Sequence, residues 1–344
     1  MATRVESRLS EFLQDEQDRW SGLDSDLSAP LGELTRLVGA GGKRLRPAFC
    51  YLSFVGVGGD ENSKQLLDTQ AALELLHASA LLHDDIIDGS STRRGEPTSH
   101  TRYITKHVDS KSAGEARRFG EGAAILIGDL AFVYADQLMT GVNSITTKIW
   151  NEMRIEVNIG QYLDLLGSAQ RERDLTKAER VCRYKSGKYT IERPLHLGAS
   201  LAAPEQADVL LEQLSGFGLP LGDAFQMRDD VLGAFGDDSA SVTGKPIGDD
   251  LREGKPTPLL AMAHNLATTS QREVLNKVGD PQMSQQELAK VQQVIVDTGA
   301  LVALETKIAL LVEQAVEAIS KSSLNKTAIK QLTELAEFIA ARNN

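Results

Sequence analysis

Three aspartates, Asp84, Asp85 and Asp88, close an apolar stretch that reads ELLHASALLHDD from Glu74 to Asp85. Asp84 and Asp88 stand four residues apart, so on a helix they share one face. Two neighbouring carboxylates repel unless a proton or cation lies between them. The C-terminal end of a helix is also the wrong end for an anion, because the macrodipole is negative there. A hard divalent cation, which prefers carboxylate oxygens, would offset both costs. Asp229 and Asp230 repeat the arrangement after the apolar run Phe217 to Met227, ahead of a segment bearing Asp237, Asp249 and Asp250. Acidic residues at helix ends are most often solvated surface. Here the apolar run Leu73 to Leu82 and the repetition weigh against that. If the two helices face each other, their carboxylates converge on one cavity, where substrate phosphates can complete the shells of several magnesium ions.

Phosphates also need cations. Lys43, Arg46, Arg93, Arg94, Lys185, Lys245 and Lys255 mostly border Gly-rich or polar segments beside the acidic helices. Each alone is more often a solvated side chain than a ligand. GGKRLRP, from Gly41 to Pro47, sets three cations at a helix start, where free backbone N–H groups also favour anions. Arginine's planar fork suits phosphate and lysine adds a point charge. His77 lies two turns before Asp84 on roughly the same face; taken alone it reads as a hydrogen-bonded core histidine. The chain has no P-loop, nucleophile elbow, dinucleotide fingerprint or His/Cys cluster with transition-metal spacing.

The elements that must position these groups are helices. Helical patterns cover residues 1–20, 31–38, 43–55, 64–87, 116–139, 144–167, 205–235, 256–267, 284–296, 301–320 and 325–341. A further pair, 176–189 and 190–201, is expected to break near Gly187, and 89–111 to be mostly loop with one turn near Tyr103. No run alternates strictly, and aromatics are 5% of the 344 residues. The expectation is an all-α, single-domain bundle of long helices spanning 1–344 around a deep central pocket, with residues 1–30 an N-terminal helix and loop. A net charge of -11 argues against nucleic acid and anionic membrane surfaces as partners. No apolar run reaches membrane-span length, the first 20 residues lack a signal-peptide core, and two isolated cysteines fit a reducing cytoplasm.

GGKRLRP, LLHDDIIDGSSTRRGEPTSH, GQYLD, KSGKYT, FQMRDDVLGAFGD and GKPIGDDLREGKPTPLL occur in that order between about Gly41 and Leu260. Together they resemble the trans-isoprenyl diphosphate synthases, or polyprenyl synthetases, and among them the actinobacterial-type geranylgeranyl diphosphate synthases. The resemblance implies the isoprenoid synthase fold, a homodimer, and about two to three Mg²⁺ per active site. It implies metal ligation by Asp84, Asp85, Asp88, Asp229 and Asp230. An allylic diphosphate would be held through that metal with Arg93, Lys185, Ser186, Gln226, Lys245 and Lys255, and isopentenyl diphosphate by Lys43, Arg46, His77 and Arg94. Asp84, Asp88, Arg93, Lys185, Asp229, Lys245 and Lys255 would carry the catalysis.

One departure stands out. Gly233 occupies the place of the last aspartate in the family's second DDxxD, and Asp237 is a candidate replacement. Chain length is expected to be read at the pocket floor, where Ser79 and Ala80 are small and Leu76 lies one turn deeper, with Ile125 and Leu126 of a facing helix closing it. Small residues there imply geranylgeranyl diphosphate as product, with a longer polyprenyl diphosphate or farnesyl diphosphate as alternatives. A terpene cyclase needs no second anion pocket, and a non-catalytic partner subunit would be expected to lose the aspartates or basic residues that are present here.

Overall fold

The structure, a computed structural model, describes residues 1–236, 248–280 and 282–341. Lys245 and Asp237 lie outside the described residues. The chain is a helical bundle. It begins with α1 (Ala2–Ser21), α2 (Ser28–Gly39), α3 (Leu45–Gly56) and α4 (Lys64–Ile87). A two-residue antiparallel ribbon follows, β1 (Thr92–Arg93) against β2 (Glu96–Pro97). Next come α5 (Ser99–Asp109), α6 (Ala116–Leu138), α7 (Ser144–Gln170) and α8 (Leu175–Val181). α8 runs through a π-helical segment, Cys182–Glu192, into α9 (Arg193–Ala202). The rest is α10 (Ala207–Phe235), α11 (Asp249–Glu253), α12 (Pro258–Leu266), α13 (Thr269–Leu275), α14 (Gln285–Asp297), α15 (Ala300–Ser320) and α16 (Lys326–Ala340).

Two helices are apolar on most of their circumference, as a central helix must be. α4 buries Leu66, Leu73, Leu75, Leu76, Ala78 and Leu82 in a core shared with α1, α2, α3, α6 and α7. α10 buries Leu210, Leu214, Phe217, Leu221, Ala224 and Met227 in a second core, shared with α9, α12, α14, α15 and α16. Each central helix ends in one of the aspartate clusters, so the packing that buries the helices also brings the clusters to a common cavity.

The structure departs from the sequence expectation in several places. Residues 89–111 contain a three-turn helix, α5, which buries Tyr103 and His107. α2 starts at Ser28, so the first loop is shorter than expected. Residues 269–275 form the additional helix α13, closed by a capping box between Thr268 and Gln271. Finally, Gly187 does not break a helix pair. It lies inside the π-helical segment because two neighbouring helices approach its backbone. A Cβ at Gly160 of α7 would sit 2.3 Å from the Lys185 backbone nitrogen, and one at Gly222 of α10 would sit 2.7 Å from Gly187 Cα. Glycine is needed at these contacts for room, and the wider turn carries Lys185 and Ser186 between α7 and α10.

Candidate active site

A cavity of about 820 Å³ opens between the ends of α4 and α10. One wall is built from α4, the ribbon and α7. Arg93 donates from Nε to Asp85 Oδ1 at 2.8 Å, and its Nη2 lies 3.3 Å from Asp84 Oδ2. Gln161 Nε2 donates to Asp84 Oδ1 at 3.0 Å. The π-helical segment delivers Lys185 Nζ to Asp164 Oδ2 at 2.5 Å and to Asp84 Oδ1 at 3.2 Å.

The opposite wall is α10 and the start of α11, where Gln226, Asp229, Asp230, Gly233, Asp249 and Asp250 line the cavity. Gln226 Nε2 donates to Asp230 Oδ1 at 2.8 Å. Lys255 ties the two walls together, with Nζ 3.0 Å from Asp88 Oδ2, 3.1 Å from Glu253 Oε2 and 3.4 Å from Asp250 Oδ1.

The electrostatics follow from this crossing of signs. Burial works against the charge on Lys185, but Asp164 and Asp84 outweigh it and raise its pKa. The same competition, with Asp250 and Asp88 as partners, lifts Lys255 well above the usual lysine range. Burial likewise opposes the Arg93 charge, and Asp85 and Asp84 restore it. All three cations therefore stay charged. Asp230 goes the other way: burial, with Asp250 and Asp229 nearby, pushes it up to about 8 despite the Gln226 hydrogen bond. Near neutral pH it holds a proton unless a cation replaces it.

The rim toward α3 is basic. Lys43, Arg44, Arg46 and Arg94 line it together with His77. Arg44 takes a left-handed backbone at φ 49° ahead of α3, and its guanidinium is locked by Glu74 and by the Val38 carbonyl at 2.8 Å. The GGKRLRP loop is thereby fixed from inside. Arg94 Nη1 donates to the Gly41 carbonyl at 2.6 Å, joining this loop to the ribbon. Arg46 stacks over Tyr189, 4.3 Å from its ring centre, and Nη2 donates to Thr190 Oγ1 at 3.0 Å. Among these rim side chains Arg44 Nε, Arg46 Nε and His77 Nδ1 are buried without a hydrogen-bond partner among the described residues. Burial, then the charges of Arg46, Arg93, Arg94 and Arg44, push the His77 pKa well below its ordinary value. Its imidazole is neutral, and it is not the self-satisfied core histidine that its position alone implied.

Apart from Lys245, which lies outside the described residues, the expected acidic and basic residues are thus gathered around one cavity, with Ser186 on its wall and Asp88 joined to it through Lys255. The residues expected to read chain length, Ser79, Ala80 and Leu76, differ in their access to the cavity. Only Ala80 lines the cavity, beside Ala78 and Leu81. Ser79, 2% exposed, points into packed protein because neighbouring helix positions are rotated by about 100°, whereas Leu76, also 2% exposed, lies one turn before Ala80 on the same face and does not reach the lining. Ile125 and Leu126 do not close the floor of the single chain. They are 44% and 65% exposed, since α6 turns Ala124, Ile127, Gly128 and Ala131 inward instead. Gln161, Asp164, Tyr189 and Asp250 belong to the cavity although no role was assigned to them from sequence. All four sit within the ordered motifs, so the signal was present.

Among the described residues, no three His, Cys, Asp or Glu side chains already form a metal cage. The donor set nevertheless suits magnesium. Carboxylate oxygens face the cavity from two walls, and ammonium and guanidinium groups now lie against them. Such an open arrangement leaves coordination positions for water and phosphate, which is how magnesium is ordinarily held.

Residues 31–298 match the family model of polyprenyl synthetase. The geranylfarnesyl diphosphate synthase of Aeropyrum pernix is 32% identical over 98% of this chain and 99% of its own length. The geranylgeranyl diphosphate synthase of Saccharolobus solfataricus is 32% identical over 88% of this chain and 87% of its own. In structure, the chain resembles a geranylgeranyl pyrophosphate synthase from Corynebacterium glutamicum, crystallised with isoprenyl diphosphate and magnesium. The TM-score is 0.91 at 35% identity, covering 98% of this chain and 97% of that one. The two-walled acidic cavity with its basic rim therefore sits in a protein that belongs to the polyprenyl synthetase family of trans-isoprenyl diphosphate synthases.

Proposed function

We propose that this chain is a magnesium-dependent prenyltransferase that condenses isopentenyl diphosphate with an allylic diphosphate, with geranylgeranyl diphosphate as its main product. The observation that carries the reading is the cavity itself. Two carboxylate walls face each other across it, and one rim is basic and holds buried polar atoms with no hydrogen-bond partner among the described residues. That is a site for two diphosphates, one approached through metal and one bound directly.

Asp84, Asp85, Asp88, Asp229 and Asp230 would hold magnesium, which when bound draws electron density from the allylic diphosphate. Arg93, Lys185 and Lys255 stay charged and lie among those carboxylates, with Lys245 assigned to the same group from its motif. As the allylic C–O bond ionises, charge grows on the leaving diphosphate. Fixed cations there stabilise the transition state more than the ground state. Ser186 and Gln226, both on the cavity wall, would orient this substrate. Lys43, Arg46, Arg94 and the neutral His77 would bind isopentenyl diphosphate, whose double bond attacks the allylic cation. A proton then leaves toward the departing pyrophosphate.

The small Ala80 on the wall supports a product longer than farnesyl diphosphate. We further propose a homodimer, supported by apolar residues exposed on α6 and α7, among them Leu126 at 65% and Tyr162 at 64%. Among the described residues no helix is long and apolar enough to cross a membrane, and both cysteines are free and buried. The proposal keeps the cytoplasmic setting read from the sequence.

One assay tests the reading. The purified protein is incubated with Mg²⁺, isopentenyl diphosphate and each of dimethylallyl, geranyl and farnesyl diphosphate, and the products are sized. Elongation ending mainly at geranylgeranyl diphosphate is expected. A hydrocarbon formed without isopentenyl diphosphate means a cyclase, and no turnover with any primer means a non-catalytic subunit.

A further inference from the structure

Gly233 stands one turn after Asp229, four residues on, where a side chain would share its helix face. The space beside it is taken. A Cβ built at Gly233 would meet Asp250 Oδ2 at 2.2 Å and Asp250 Cγ at 3.2 Å. The Gly248 N–H donates to the Gly233 carbonyl at 2.9 Å and seats the start of α11 against α10, and within that seat it is the end of the Asp250 side chain that fills the space. Gly233 is buried within α10 and has no positive φ to explain a glycine. Asp250 lines the cavity with Asp229 and Asp230, and its other oxygen lies 3.4 Å from Lys255 Nζ, which also contacts Asp88.

We propose that Asp250 supplies, from α11, the third metal-binding carboxylate of the α10 wall, and that position 233 is glycine because this carboxylate occupies its side-chain space. The inference rests on the acidic-site reading above and adds to it how the second aspartate cluster is completed in this chain. It also makes the two positions interdependent. An aspartate at 233 alone does not restore a missing ligand; it collides with the one already there.

The test is Mn²⁺ binding to the full-length protein in the presence of inorganic pyrophosphate. It is followed by calorimetry and by the electron paramagnetic resonance of free Mn²⁺, so that no turnover is needed. Asp250→Asn keeps the shape of the side chain and leaves Lys255 with Asp88 and Glu253; it should weaken Mn²⁺ binding roughly tenfold. Gly233→Ala and Gly233→Asp should weaken it as well, and the double variant Gly233→Asp/Asp250→Gly should recover most of the loss. Melting curves identify any variant that fails to fold, and the isosteric Asp250→Asn then decides. If Asp250→Asn binds Mn²⁺ like the parent while Asp229→Asn does not, the inference is wrong and the acidic site stands. If neither change affects binding, the acidic-site reading itself falls. Gly233→Asp binding as tightly as the parent would also overturn the inference, since the space would then be uncontested.

Discussion

Ala80 and Ser79 differ by one position and by one third of a helical turn, and that rotation decides which of them can touch a growing chain. Counting back from the aspartate motif gives both residues equal standing, whereas the cavity is lined by Ala80 alone. Ala80→Phe should therefore shift the product toward shorter diphosphates. Ser79→Phe should instead overpack the core at a cost of about 1–3 kcal/mol and lower the melting temperature. Sizing the products of both variants, alongside their melting curves, separates the two effects; equal shortening by both would defeat this wall assignment. Asp84 invites a second test. Its Oδ1 receives both Gln161 and Lys185, and its other oxygen meets Arg93. Asp84→Asn keeps the shape but removes the charge, and kcat should fall by about 100-fold or more with little change in melting temperature. A loss of folding comparable to the loss of turnover would show Asp84 to be a structural ion-pair member.

At the scale of elements, the long helices were legible because their sequences agree with them at every level. α4 was read from Lys64 to Ile87 and occupies that span, from a Ser63 N-cap through an unbroken apolar run. The π-helical segment was not legible. Nothing in CRYKSGKYTIE announces wider turns; they rest on the close approach of Gly160 and Gly222 from other helices. α5 was missed because SHTRYITKHVD is polar, and its few apolar contacts come from Tyr103 and His107 packing on Phe119. A buried polar network then anchors the π-helical segment. Arg193 Nε and Nη2 donate to Glu156 at 2.6 and 2.7 Å, and Glu156 also pairs with Lys188. Arg193 Nη1 lies 3.2 Å from His196 Nδ1. An arginine can only donate, so Nδ1 accepts and Nε2–H faces the Leu211 carbonyl at 3.1 Å. Burial, followed by the Arg193 charge, pushes His196 down to about 3. Between that value and the usual ~6.5, the unfolded chain binds a proton that the native chain refuses. This contribution to stability is complete above ~6.5 and is lost as pH falls toward 3. His77, also depressed, acts in the same direction. Asp230, pushed up to about 8, opposes the histidines over the same range, so the test is relative: in urea unfolding at pH 7, 6 and 5, His196→Gln should gain stability relative to the parent as pH falls, and a constant difference would remove His196 from the account.

At the scale of the molecule, the same helices that frame the cavity have an outer surface that the single chain leaves uncovered. On α6, Phe119, Leu126 and Val133 repeat every seven residues and are 48%, 65% and 59% exposed. On α7, Ile155, Ile159, Tyr162 and Leu166 follow an i, i+4, i+7, i+11 spacing and are also exposed. Both are apolar stripes at helical period, so each presents one continuous face. The two helices are joined where Asp136 accepts from Trp150 Nε1 at 2.7 Å and from Arg154 at 2.6 Å. Apolar stripes on the outside of a protein with a net charge of -11 call for a cover, because exposed apolar patches mark interaction surfaces. In the proposed homodimer a second copy would bring the same stripes in self-complementary form under twofold symmetry. The consequence for function is testable, since α6 packs against α4 and α7 against the segment bearing Lys185. Covering this face should hold both cavity walls in place. Leu126→Glu with Ile159→Glu should therefore give a monomer by light scattering, and that monomer should lose turnover and melt at a lower temperature. A variant that stays dimeric would locate the interface elsewhere, and a fully active monomer would show that each cavity is self-sufficient.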